Sequence, residues 1–175
     1  MSLLAGVAVA TLIPRLSLEK LTDSSELVVS GQITRSWTAW DADHKYIWTH
    51  YELATAAALK GSPGATVEFA EPGGQVDGRV MVIEGAVGYT PGDQVVVFLS
   101  RMPNRYLRTS GWAQGKYSVD SAGRLHAAAA LSGDVVPAGA ASDGVSLRTL
   151  ENMSVNELRQ RVAARQRAAG TGAVR

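Results

Sequence analysis

The chain has 175 residues, 46% hydrophobic and 19% charged, a balance that supports one domain with a packed core. A formal net charge of +1 supplies no global field to draw in nucleic acid or an acidic membrane. With no cysteine, disulfides, thiolate metal sites and cysteine nucleophiles are excluded together.

The chain opens on an apolar run, Leu3 to Ile13. It is too short to span a bilayer as a helix. Its small residues and Ala8-Val9-Ala10 fit the core and cleavage site of a secretory signal. The first positive charge, Arg15, lies after the run rather than before it. An edge strand or buried tail fits the same pattern, so residues 1–13 read as a signal remnant or an apolar tail. Pro14 breaks the run. Ser17 is placed to cap a short helix, with Leu16 and Leu21 at the staple positions around it. Asp23-Ser24-Ser25 ends that helix, because its side chains compete for the backbone.

Two long strands follow, Leu27 to Trp40 and Lys45 to Leu59, joined by the turn Asp41-Ala42-Asp43-His44. Branched and aromatic residues at this density favour a pleated, half-buried surface. Gly31 predicts a bulge or coil inside the first strand. Lys60-Gly61-Ser62-Pro63-Gly64 turns the chain into a short strand, Thr66 to Phe69.

These segments carry a family resemblance. Their order is Ser17-Leu18-Glu19-Lys20-Leu21, then Ser25-Glu26-Leu27-Val28-Val29-Ser30-Gly31-Gln32-Ile33. Tyr51-Glu52-Leu53, Leu59-Lys60-Gly61 and Thr66-Val67-Glu68-Phe69 follow. This resembles the netrin-like module of the tissue inhibitors of metalloproteinases. It is still more similar to an exported bacterial family of that pattern with no assigned activity. The resemblance covers residues 16–119. It implies an oligonucleotide/oligosaccharide-binding (OB) type of barrel and a protein partner, conceivably a protease. The inhibitors chelate zinc through an N-terminal cysteine; this chain has none, so that mechanism does not carry over.

Further along, Glu71 to Gly78 is loop chemistry. It lacks the Lys-Ser/Thr pair of a P-loop and the spacing of a dinucleotide fingerprint. Arg79 to Ile83 reads as a strand. Gln94 to Ser100 is apolar on both faces, which predicts a central strand covered on both sides. Tyr106 to Trp112 pairs back, Lys116 to Val119 is a strand, and Arg124 to Leu131 fits strand and helix equally. Pro137 to Gly144 is a flexible connection. Ser154 and Glu157 form a capping box, with Met153 and Leu158 as its staple. The fold expected is mainly β with flanking α. It is an OB-like antiparallel barrel of about five to seven strands over residues 14–133, with a short N-terminal helix. A linker over 134–153 leads to a helix over 154–169, packed on or near the barrel, and to a frayed tail over 170–175.

No sequence signature points to a cofactor or to catalytic residues. Asp41, Asp43 and His44, with His50 beyond, are the weak candidates for a metal site, since oxygen and imidazole ligands suit zinc or calcium. A solvated turn has the same composition. Glu68 and Glu71 read as surface acids. Trp37, Trp40 and Tyr46, with Arg35 and Lys45 beside them, are the expected interaction patch. The expected role is an exported, non-enzymatic module that binds a protein, with nucleic acid and membrane disfavoured. The alternatives are a small-ligand, oligosaccharide or oligonucleotide barrel that stacks on the tryptophans, and a hydrolase whose site is assembled across the fold.

Overall fold

The computed structural model of the protein describes residues 16–128 and 150–172. The apolar run Leu3 to Ile13 and the connection Pro137 to Gly144 lie outside the described residues. Helix α1 (Leu18–Ser24) is capped by Ser17, whose Oγ accepts the Lys20 N–H at 3.2 Å. The strands are β1 (Leu27–Trp40), β2 (Ile47–Lys60), β3 (Thr66–Pro72), β4 (Gly74–Val76) and β5 (Arg79–Met81). After them come β6 (Gln94–Arg101), β7 (Leu107–Thr109), β8 (Lys116–Val119) and β9 (Leu125–Ala127). Helix α2 (Val155–Gly172) ends the described chain.

One antiparallel sheet runs β3-β2-β1-β6-β8-β9. The short strands β7 and β8 share the free edge of β6, end to end. Strands β4 and β5 form a separate hairpin. The long β1–β2 ribbon coils because its register shifts three times, between Val28/Val29, Ser30/Gly31 and Ile33/Arg35. The predicted bulge at Gly31 is one of these. A Cβ there would overlap the Ala54 carbonyl oxygen, so only glycine lets the two backbones approach so closely.

The sheet is not closed into a barrel, which corrects the OB-like expectation. Closure needs a ladder between β3 and β7. The Thr109 N–H that would begin one donates instead to the Glu71 Oε1, at 2.8 Å. A side chain thus occupies the place of a backbone acceptor, and a gap remains along the seam.

The sheet covers two cores, one on each face. Val28, Val96 and Phe98 pack with Leu18, Leu21, Tyr117, Leu158 and Val162, under the two helices. Val29, Val95, Val97 and Leu99 pack with Ile33, Tyr51, Leu53, Phe69 and Tyr89, inside the curl of the ribbon. Strand β6 feeds both, which is why its sequence is apolar without alternation.

Helix α2 starts on the expected capping box. The Glu157 N–H donates to Ser154 Oγ at 3.2 Å, and the Ser154 N–H donates to Glu157 Oε2 at 2.9 Å. It extends to Gly172, past the end expected at 169. The expected linker also ends too late. Leu150 is fully buried, Met153 nearly so, and both join the helix-side core. The Leu125 N–H donates to the Met153 carbonyl, and the Asn152 N–H to the Leu125 carbonyl, so residues 152–153 continue the sheet edge.

Candidate functional site

The outer face of the β1–β2–β3 ribbon gathers a connected set of aromatic and charged side chains. Paired residues in adjacent strands project to the same face. Trp37 sits opposite His50, Arg35 opposite Glu52, and Ala39 opposite Trp48. His50 in turn faces Ala70 of β3. The Trp37 and His50 rings stack at 5.2 Å between centroids and 11° between planes. The Arg35 guanidinium lies 4.2 Å from the Trp37 ring centroid and 3.4 Å from Glu52. His50 is 7% exposed, and its Nδ1 meets Glu68 Oε1 at 3.1 Å. Tyr106, carried by the turn between β6 and β7, stands edge-on to both His50 and Trp48, at 5.2 and 5.3 Å. The buried Trp48 indole N–H has no hydrogen-bond partner among the described residues.

Beside this stack, a half-open cleft of about 190 Å³ lies along the β3–β7 seam. Its walls include His50, Glu68, Ala70, Arg105, Tyr106 and Leu107. Arg101 also lines it, but its guanidinium is committed. It reaches Glu26 at 2.6 and 2.8 Å and the Arg105 carbonyl at 2.9 Å. That pairing holds the Glu26 carboxyl below its ordinary range.

A second cleft, of about 230 Å³, lies on the other face, over Thr49, Tyr51 and Glu71. Glu71 is 1% exposed, which corrects its reading as a surface acid. Burial pushes its carboxyl above the usual carboxylate range, against the Thr109 N–H and the Arg108 guanidinium, which favour the charged form. Arg108 Nε lies 3.2 Å from it, and the Arg108 guanidinium stacks 3.8 Å from the Trp112 centroid. Burial also raises the Tyr89 phenol, which shares a 2.6 Å hydrogen bond with Thr109 Oγ1.

The structure splits the expected patch. Trp37 and Trp40 are three positions apart in a regular ladder, so they project from opposite faces of the ribbon. Arg35 and Trp37 belong to the His50 stack. Trp40 pairs instead with His44, at 6.0 Å, near the ribbon tip. Lys45 and Tyr46 are exposed at that tip. Neither Trp37 nor Trp40 lines either of these two clefts, and the Trp37 ring is engaged by Arg35 and His50.

The metal candidates are not assembled. Asp41 Oδ1 accepts the backbone N–H groups of Lys45 and Tyr46, at 2.7 and 3.2 Å, and so serves the turn itself. Among the described residues, no group of three or more histidine, cysteine or acidic side chains is placed to hold a metal. Sequence reasoning missed His50, Glu68 and Tyr106 as members of the aromatic face. His50 carried a usable signal, since it shares strand parity with Trp48. Tyr106 carried none, because a distant turn delivers it.

These features define a mainly β domain with one large antiparallel sheet, a short helix before it and a longer helix after it. Compared with protein-family models, with curated proteins and with solved structures, the chain shows no significant match to any of them. Among the described residues, no helix is long and apolar enough to cross a membrane.

Proposed function

We propose that this chain is an exported, non-enzymatic binding module that engages another protein through the outer face of its β1–β2–β3 ribbon. The observation that carries this reading is the ordered stack Arg35–Trp37–His50–Tyr106–Trp48. Tryptophan, tyrosine and arginine, held in fixed rotamers and partly open to solvent, are the residues that dominate protein interfaces. The neighbouring cleft offers an adjoining recess for a partner side chain. The netrin-like residue pattern supports a protein rather than a sugar as partner, and the apolar run Leu3 to Ile13 supports export.

The test is affinity capture from the native secretome or periplasm with the wild-type chain, Arg35→Glu and Trp37→Ala. Circular dichroism confirms that each variant is folded. One partner should be recovered by the wild type and lost by both variants. A hot spot is worth about 2 kcal/mol or more, so Trp37→Ala should weaken that partner's Kd at least about 30-fold. Equal recovery by all three proteins would overturn the assignment of this face.

A further inference from the structure

Open sheets carry exposed edges, and this fold covers nearly all of its own. The outer edge of β9 is bonded by residues 151–153, through Leu125, Asn152 and the Ala127 N–H to Glu151. The seam edge of β3 is tied to β7 by Glu71. Where β1 runs past β6, Ile33 exchanges hydrogen bonds with Gly92 and Asp93, and Thr38 Oγ1 donates to Gln75 of β4. Among the described residues, none bonds the outer edge of β5 in this way.

That edge is apolar as well as open. Val80 is 65% exposed and Val82 84%, two of the three large hydrophobics exposed among the described residues. The β4–β5 hairpin turns at Asp77-Gly78, both at positive φ, and pairs Val76 with Arg79 and Gly74 with Met81. In a two-residue hairpin those are the hydrogen-bonded pairs. Alternation then turns the N–H and C=O groups of Val80 away from β4, and an added strand that extends β5 by one residue would use those of Val82 in the same way. Outward amides flanked by exposed valines fit an added strand, and natural proteins usually blunt such an edge with charge or proline. Here Arg79 stands at one end only.

We propose that β5 pairs antiparallel with β5 of a second copy of this chain, giving a continuous four-stranded β4-β5-β5-β4 sheet across a two-fold axis. The sequence is self-complementary in the register centred on Met81. Val80 of each chain falls opposite Val82 of the other, in the hydrogen-bonded pairs that their outward amides require. Met81 falls opposite Met81, in the non-hydrogen-bonded pair on the axis. An isologous contact must match itself, and this register does. The surface is distinct from the aromatic face. The hairpin is anchored by Thr38 and Thr49, on the opposite side of the ribbon from Trp37 and His50.

Two measurements on the full chain decide the matter. Light scattering after size exclusion should give twice the chain mass at micromolar concentration. Val80→Lys with Val82→Lys should halve it while leaving the circular dichroism unchanged. A wild-type monomer at all accessible concentrations, or a dimer indifferent to the two lysines, overturns the proposal. Register is read separately by cross-linking, since the chain has no cysteine of its own. A non-hydrogen-bonded pair sets its Cα atoms about 4.5 Å apart, within disulfide reach. Met81→Cys should therefore give near-complete disulfide dimer under mild oxidation. Arg79→Cys should give almost none, because the two copies of residue 79 would lie about 13 Å apart along the strands. Equal cross-linking at both positions overturns the register.

Discussion

Replacing Glu71 with alanine tests whether one buried carboxylate holds the β3–β7 seam. The change leaves the Thr109 N–H without its acceptor; Thr109 is only 4% exposed. An orphaned buried donor costs about 1–3 kcal/mol. It also strips Arg108 of its counter-charge, with that side chain 13% exposed. Removing one partner of a buried pair costs about 3–5 kcal/mol. The two losses share one group, and Arg108 keeps its stacking on Trp112, so they do not add. The expected loss at neutral pH is about 3–4 kcal/mol. For a chain of this size that is roughly 6–16 °C in Tm. Glu71→Gln keeps an oxygen for Thr109 and should recover about half of it. Urea unfolding at constant slope measures both variants. An alanine cost under about 1 kcal/mol, or a glutamine variant as damaged as the alanine one, would refute the role assigned to the carboxylate. The pH dependence gives a second check. Burial raises the Glu71 carboxyl above its ordinary 4.5, so the folded state keeps the proton longer than the unfolded chain. Its contribution is fully present below about 4.5 and is lost as pH rises through the folded value. The stability margin of wild type over Glu71→Gln should therefore shrink as pH climbs through that window, by at most about 1.4 kcal/mol per pH unit. A margin that grows instead would mean that Arg108 outweighs burial.

Two further perturbations reach other parts of the fold. Gly31→Ala places a Cβ against the Ala54 carbonyl and 2.7 Å from Leu53 Cδ2, so the ladder must part at the bulge. The expected cost is about 2–4 kcal/mol by denaturant unfolding, and a neutral result would show that the bulge relaxes freely. His126 is held between Asp120 and Glu151, at 3.0 and 2.8 Å, and their hydrogen bonds raise its pKa above 6.5. Its contribution is thus present below about pH 6.5 and is lost as pH rises through the folded value. The protection factors of the Asn152 and Met153 amides, beside Glu151, should fall over that window and stay level with pH in His126→Gln; identical protection profiles would exclude the link.

Local chemistry made much of this fold legible. The β1–β2 ribbon falls within a residue or two of its predicted limits, because aromatic density and the Asp41 turn are both local. The capping box placed the start of α2, and the unalternated run at 94–100 marked the strand with two covered faces. Closure was not legible, because it depends on where one acid points. Glu68 and Glu71 look alike in a composition. On a strand they stand three apart, so one faces the exposed stack and the other the interior. The same parity argument separates Trp37 from Trp40, and it required only the register to apply. Leu150 and Tyr106 are different. Leu150 lies far along the chain from the strands it packs against, Tyr106 sits on the turn between β6 and β7, and no nearby residue signals either destination.

The geometry of the aromatic face bears on how a partner would be held. Trp37 is fixed by a stacked imidazole and a guanidinium, and His50 is fixed in turn by Glu68 and Tyr106. Ordering a free side chain at an interface costs about 0.5–1.5 kcal/mol each. Here the core ring and its neighbours are ordered before any encounter, so most of that cost falls on folding rather than on binding. It follows that Glu68→Gln, which touches the stack only through His50, should weaken a partner with little loss of buried contact area. The loss of the imidazole's anchor should appear as faster dissociation, and any change in association reports the exposed Glu68 charge itself. A Glu68→Gln variant with an unchanged dissociation rate would mean that the imidazole is positioned by the rings alone.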